Sequence, residues 1–389
     1  MALVRSGLDV LSRKPPAVLA GRRVALLCHQ ASVTHDLTHA VDALLRLRRV
    51  KLVALLAPEH GIAGAAQDHA RVGSTKDPAS GLPVWSLYDR SLAPGEAMLS
   101  GVDALVVDLQ DVGARYYTFV WTTALCMQAC ARAGVPVVVL DRPNPLGGLA
   151  MEGNLPDPRA TSFVGLYPLP ARHGMTIGEL AAYLNATHAL GCDLTVVPMQ
   201  GWRRAMGWED TGLPWVAPSP NMPTPDTARV YPGGCLIEGT NLSEGRGTTR
   251  PFELVGAPFL DGRRLAVALS RRRLPGVAFR PATFQPAFHK YRRQLCGGVQ
   301  VHVTDGSRFK PFLTYLALIV EARRQSRRFR WRRPPYEFER RRLPIDLLGG
   351  GDGIRRAIET GVALSHLEAR WRAGLEDFAR RRRPYLLYR

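Results

Sequence analysis

Through the first 150 residues, short apolar runs alternate with helical patterns, and that alternation leaves few folds open. RRVALLCHQ (Arg22 to Gln30) reads as a strand and loop, and THAVDALLRL (Thr38 to Leu47) as a helix. KLVALLAPEHG (Lys51 to Gly61) is a strand running into a polar loop, and VDALVVDLQDVG (Val102 to Gly113) is a strand ending in acids. TTALCMQACARAG (Thr122 to Gly134) is a helix closed by glycine, which tolerates the left-handed residue after a helix. VPVVVLDRPNPLGG (Val135 to Gly148) is another buried strand. Strands separated by helices must pair in parallel through crossovers, so the fold class is α/β with a parallel sheet.

Four of these strands end in polar clusters on the carboxyl side. They are His29-Gln30, Glu59-His60, Asp108-Gln110-Asp111 and Asp141-Arg142-Asn144. Ligands of open α/β sheets bind outside the carboxyl ends of the strands. The clusters therefore predict one shared cleft.

Beyond this region, MTIGELAAYLN starts a helix with Thr176 and Glu179 placed for a capping box. PWVAPSPNMPTPDT is too rich in proline for a regular helix or central strand and reads as a wall between domains. The texture changes from Tyr231 onward, where CGGVQVHVTD is an alternating strand followed by helices. We expect an N-terminal parallel-sheet domain over 1–228 and a smaller α+β domain over 229–389, with the cleft between them.

The densest polar stretch is EGTNLSEGRGTTRPFE (Glu238 to Glu253). Its glycines permit tight turns, and its side chains offer donors and acceptors together, which suits an anionic ligand with many hydroxyls. Within the clusters, Glu59 follows an apolar strand and is the leading general-acid candidate. Asp108 and Asp111 could divide acid and base roles, hold a hard cation, or pair with Arg115 to orient the loop. We favour positioning. Pro143 and Pro145 stiffen the turn carrying Arg142 and Asn144. Arg172 and His173, just before a helix start, are further substrate contacts.

Composition narrows the function classes. The net charge is +19, yet lysine occurs only at positions 14, 51, 76, 290 and 310. The arginines concentrate in ARRQSRRFRWRRPPYEFERRR (Ala322 to Arg342), and such runs are usually solvated faces. No zinc finger or other recognition motif accompanies them, so nucleic acid is not expected as a partner. No run of 18 apolar residues suggests a membrane span. The start lacks the apolar core of a secretory signal, which predicts a cytoplasmic protein, or an exported one if the true start lies upstream. The six cysteines form no C-x-x-C pair and read as buried hydrophobes rather than a metal site or disulfide framework. GxGxxG, P-loop, G-x-S-x-G and H-E-x-x-H motifs are missing. A polar, acid-containing cleft without a cofactor fits hydrolysis of a sugar bond by carboxylates.

The chain resembles the NamZ family of exo-β-N-acetylmuramidases. The resemblance rests on APEHG (57–61), DLQDVGARYYT (108–118), LDRPNPLGG (140–148), RHGMTIGEL (172–180), PSPNMPT (218–224), YPGGCLIEGTNLSEGRGTTRPFE (231–253) and HKYRRQLCGGVQ (289–300). Members often read TNQTGV where this chain reads CHQASV, which puts His29 at the expected cleft rim.

The resemblance implies a Rossmann-like N-terminal domain, a smaller C-terminal domain, and release of N-acetylmuramic acid from the non-reducing ends of peptidoglycan fragments. It implies Glu59 as acid/base. The substrate's 2-acetamido group can assist, so one protein acid can suffice; if a second carboxylate takes part, Glu244, Glu238 or Asp111 are the candidates. Arg246, Arg142 or Arg172 would bind the lactyl carboxylate. His60, Asn241, Ser243 and Thr248 would hold hydroxyls or the acetamido group. Gln30, Asp108, Arg115, Tyr117, Asn144, His173 and Asn221 complete the expected substrate contacts. No cofactor or metal is expected. The alternative is a binding module for muropeptides or other anionic glycans that lacks catalysis. The sequence does not specify an oligomeric state.

Overall fold

A computed structural model describes residues 3–67, 73–89 and 91–389. Seven strands build the main sheet: β1 (Arg22–Cys28), β2 (Val50–Ala57), β3 (Thr75–Lys76), β4 (Pro83–Ser86), β5 (Ala104–Asp108), β6 (Val137–Leu140) and β7 (Leu194–Val197). Their spatial order is β3-β4-β2-β1-β5-β6-β7. All pairs are parallel except the edge pair β3–β4. The chain moves from β1 to β2 on one side and resumes at β5 on the other, so the topological switch lies at β1.

Successive side chains on a strand point to opposite faces. Along β1, Val24, Leu26 and Cys28 enter a core with Leu8 and Leu11 of helix Gly7–Arg13 and with Val41 and Leu44 of helix Ala40–Leu45. Ala25 and Leu27 face the other way, into a core shared with helices Phe119–Ala133 and Ile177–Thr187. A strand apolar at every position needs cover on both faces, which is why these runs read as unbroken hydrophobic segments. Gly7 lets its helix touch the sheet, because a Cβ there would lie 2.4 Å from the Asp141 nitrogen.

The second sheet is antiparallel, in the order β8 (Leu254–Ala257), β10 (Cys296–Val303), β9 (Val277–Phe284). Helices Gly262–Ser270, Pro311–Gln325 and Leu364–Arg382 accompany it. Val255, Leu265, Tyr315 and Leu316 belong to the same continuous core as Leu105 and Trp121 of the first domain. Helix Pro225–Gly234 runs through the expected boundary at 228/229.

Polar ties also cross between the halves. Glu152 accepts the backbone N–H groups of Phe312 and Leu313 at 3.1 and 2.9 Å. Arg382 donates to the carbonyls of His173 and Gly174, and the Tyr388 hydroxyl donates to Asp141 at 2.5 Å. No described helix is long and apolar enough to cross a membrane.

Candidate active site

At the carboxyl end of β2, Pro58 lacks the N–H needed to extend the ladder. His60 and Gly61 follow at φ 73° and 78°, and the Gly61 N–H closes the turn on the Pro58 carbonyl at 3.1 Å. Positive φ at a bulky residue is costly and gathers at functional sites. The turn aims the Glu59 side chain, only 6% exposed, into a cavity walled by both domains. The His60 Nδ1 lies 2.8 Å from the Ala66 carbonyl, so that nitrogen carries the proton and donates.

Two hydroxyls frame Glu59. Thr118 stands at the N-cap of helix Phe119–Ala133, yet its hydroxyl donates to Glu59 Oε2 at 2.8 Å instead of capping its own helix. The Glu59 side chain thereby sits at the N-terminus of that helix. The Tyr88 hydroxyl donates to Glu337 Oε2 at 2.9 Å. Burial pushes the Tyr88 phenol far up, and the Glu59 and Glu337 carboxylates add to the shift. Tyr88 is thus a neutral donor beside two acids.

The third acid is Glu238. Its Oε1 accepts from Arg246 Nη2 at 2.8 Å and its Oε2 from the Tyr336 hydroxyl at 2.7 Å. The Arg246 guanidinium lies over the Phe252 ring, 5.1 Å from its centre. From Phe252 an edge-to-face series runs through Tyr231 and Tyr117 to Phe119, with ring centres 4.9, 5.9 and 4.8 Å apart. Burial raises the phenols of Tyr116 and Tyr117, keeping both neutral. Ser219, Asn221 and Met222 of the proline-rich segment complete one wall.

Six of the residues expected from the sequence line this cavity: Glu59, His60, Tyr117, Asn221, Glu238 and Arg246. The others are engaged elsewhere. Asp108 and Arg142 form a buried double contact at 2.5 and 2.7 Å, joining the ends of β5 and β6. Asp111 accepts from the Gly113 N–H at 2.7 Å and lies 3.3 Å from His173 Nε2. The His173 Nδ1 accepts the Met175 N–H, so its Nε2 carries the proton towards Asp111.

Glu244 sits behind Arg246, with Lys290 at 2.9 Å and His289 at 3.1 Å. Burial alone would raise its pKa, but Lys290, His289 and Arg246 hold it well below the carboxylate range. Arg115 is not paired with Asp108 or Asp111. It is fully buried and donates to the carbonyls of Asn154, Leu169 and Leu348, which ties two loops to the end of helix Pro344–Leu348.

Gln30 donates to the Ala217 carbonyl, and Asn144 bridges Met175 and Leu146. Arg172 donates to the Leu146 carbonyl and lines a separate surface pocket with Arg204 and Arg229. Asn241 holds Arg328 and Arg330 main-chain groups, while Ser243 and Thr248 close local turns on Gly245. His29 is not on a rim. It is fully buried, edge-on to Phe119 at 4.8 Å, and burial together with Arg142 keeps its ring neutral. No group of three His, Cys, Asp or Glu residues arranged to hold a metal occurs among the described residues.

Sequence reasoning missed Tyr88, Tyr336 and Glu337. The last two interrupt the arginine run as PPYEF, and that break in a charged segment was the available signal. Tyr116, Thr118, Ser219, Tyr231 and Phe252 were also missed, although all five lie within the blocks quoted for the family resemblance.

Two family models match the chain: Exo-beta-N-acetylmuramidase NamZ, N-terminal, over residues 24–226, and its C-terminal counterpart over 229–388. The chain belongs to the NamZ family. Peptidoglycan beta-N-acetylmuramidase NamZ of Bacillus subtilis (strain 168) is 45% identical over 386 residues, covering 99% of this chain and 91% of that protein. Crystal structures of two DUF1343 family proteins from Bacteroides fragilis NCTC 9343 have the same fold. One is 33% identical with a TM-score of 0.89 and 99% of each chain covered. The other is 30% identical with a TM-score of 0.79, covering 100% of this chain and 99% of that one. In NamZ terms, the cavity described above draws on both family domains: Glu59, Tyr117 and Asn221 fall within the N-terminal match, and Glu238, Arg246 and Glu337 within the C-terminal one.

Proposed function

We propose that this NamZ protein is an exo-acting glycosidase that removes N-acetylmuramic acid from the non-reducing ends of peptidoglycan fragments. The observation that carries the proposal is a full-length family match whose strand-end glutamate, Glu59, opens into a cavity lined from both family domains. Protonated Glu59 gives its proton to the glycosidic oxygen as the C1–O bond breaks. The aglycone leaves as an alcohol. The 2-acetamido oxygen of the sugar supplies the electron pair to C1, as in substrate-assisted glycosidases, and water then opens the resulting ring with Glu59 accepting its proton.

Glu238, held by Arg246 and Tyr336, is the carboxylate within the cavity suited to orient the acetamido N–H. Arg246 is the lactyl-carboxylate ligand, since Arg142 is committed to Asp108 and Arg172 lines another pocket. Its planar fork can serve Glu238 and the substrate carboxylate from different edges. His60, Ser219 and Asn221 are the neighbours for sugar hydroxyls.

The test is release of a chromogenic aglycone from a β-N-acetylmuramide and from the matching β-N-acetylglucosaminide, with no cofactor added. Cleavage of the muramide by the native protein, and a loss of about 10²–10⁴-fold in Glu59→Gln, is the expected result. Undiminished turnover by Glu59→Gln removes Glu59 from the reaction. Binding of muropeptides without cleavage by the native protein would favour the non-catalytic alternative.

A further inference from the structure

A second groove leads outward from the cavity. Tyr336 and Glu337 belong to both, and Tyr88, Arg332, Pro335, Phe338 and Arg340 line only the outer part. The segment that builds it was expected to be a solvated charged face. Instead it folds into a two-residue turn in which Tyr336 and Glu339 exchange both backbone hydrogen bonds at 2.9 Å. The central residues Glu337 and Phe338 sit at φ 44° and 65°. Turns of this kind favour asparagine and glycine, because other residues are strained there. Glu337 and Phe338 each have a side chain that glycine would lack. Glu337 lines the cavity and accepts from the Tyr88 hydroxyl. Phe338 stands edge-on to Tyr88 and Phe163, with ring centres 5.2 and 6.1 Å away, and keeps 53% of its surface exposed. Beside it, the Arg332 guanidinium covers the Tyr336 ring at 5.4 Å, and Arg340 is exposed.

The geometry points to this groove as the subsite for the leaving part of the glycan: Phe338 receives the face of the sugar next to the cleaved bond, and Arg332 and Arg340 receive carboxylates of the residue beyond it. This rests on the glycosidase assignment of the cavity. An exo-acting enzyme that seats one terminal sugar against its acid must let the remaining chain pass out beside the group that protonates its oxygen. The groove shares a wall with that cavity at Tyr336 and Glu337, and Tyr88, which donates to Glu337, brings its phenol beside Glu59. A peptidoglycan chain presents apolar sugar faces at each residue and a carboxylate on every second one, and the groove offers an exposed aromatic ring together with two cations.

Three substrates separate the contributions: methyl β-N-acetylmuramide, the disaccharide N-acetylmuramyl-N-acetylglucosamine, and the tetrasaccharide that extends it. Phe338→Gly removes the ring while relieving the positive φ, which offsets part of the lost contact with Tyr88 and Phe163, so the variant should stay folded. A ring with about half its surface open has roughly half of a buried aromatic's transfer free energy still to gain, about five- to tenfold in kcat/KM. The ratio of disaccharide to methyl-glycoside kcat/KM should drop by that factor in Phe338→Gly. In the Arg332→Gln/Arg340→Gln pair, the ratio of tetrasaccharide to disaccharide should drop, and the drop should shrink in high salt. Equal losses on all three substrates, or unchanged ratios, overturn the subsite. If the native protein cleaves none of the three, the glycosidase assignment itself fails and the subsite falls with it.

Discussion

Replacing Glu152 by glutamine should flatten the pH dependence of stability between about pH 4.5 and 7. Glu152 is buried where the first domain meets helix Pro311–Gln325, and it accepts two N–H groups at the start of that helix. Burial raises its pKa from 4.5 to about 7, against the lowering pull of those two N–H groups, Arg172 and Lys310. The native state therefore holds a proton that the unfolded chain has already released. Stability from this group is full below pH 4.5 and is lost as pH rises towards 7. The gap between the two pKa values is worth ~3 kcal/mol.

At ~2.1 cal/mol/K per residue, a chain of 389 residues unfolds with an entropy near 0.8 kcal/mol/K, so the loss corresponds to about 4 °C. Scanning calorimetry of the native protein and Glu152→Gln at pH 5 and pH 8 measures it. The native midpoint should fall about 3 °C further between the two pH values than that of the variant, since part of the effect is already lost by pH 5. Asp141, raised to about 6 by burial, contributes a slope of the same sign but is present in both proteins and cancels in the comparison. Glutamine keeps only one acceptor oxygen, and the resulting penalty is constant with pH. Identical slopes would refute the argument. So would a variant that loses ground at pH 8 alone, since the helix terminus would then be stabilising the anion more than burial opposes it.

Arg246→Ala should reduce kcat/KM for the muramide more than for the glucosaminide; parallel losses would detach Arg246 from the lactyl group. Arg142→Ala should destabilise by about 3–5 kcal/mol, because it leaves Asp108 buried without its cation, and adding Asp108→Asn should restore part of the loss in chemical denaturation. An Arg142→Ala protein as stable as the native one would mean that water reaches Asp108. Glu244→Gln should lower the thermal midpoint by a comparable free energy, because Lys290, His289 and Arg246 would lose their shared anion. An unchanged midpoint would show that the cluster does not support the fold.

The parallel sheet was legible because strands buried on both faces leave unbroken apolar runs, as at β1, β2, β5 and β6. The short strand β4 was not, since Pro83 and four residues of length leave too little pattern. The site was legible at Glu59, where a strand end fixes direction. The other strand-end clusters read alike in sequence but behave differently in space. Asp108 and Arg142 neutralise each other, and Asp141 serves Thr176, Gly178 and Tyr388.

In the polar stretch 238–253, only Glu238, Arg246 and Phe252 turn towards the cavity. Glu244, two residues before Arg246, turns to Lys290 instead. Which way a loop side chain faces depends on partners far away in the chain, and composition does not carry that information. Glu337 shows it most clearly, because its acidity is masked by arginines in sequence and revealed only by a bond to Tyr88, 249 positions earlier.

The ties between the two halves have a consequence for how the molecule comes apart. Helix Pro225–Gly234 crosses the seam, one core fills both sides, and Glu152, Arg382 and Tyr388 reach across it. Neither half has a complete interior of its own, so excising either would strip apolar surface from the part that remains. We expect melting to be a single concerted event, and turnover that draws on Glu59 and Arg246 would then report the integrity of the whole polypeptide rather than of one lobe.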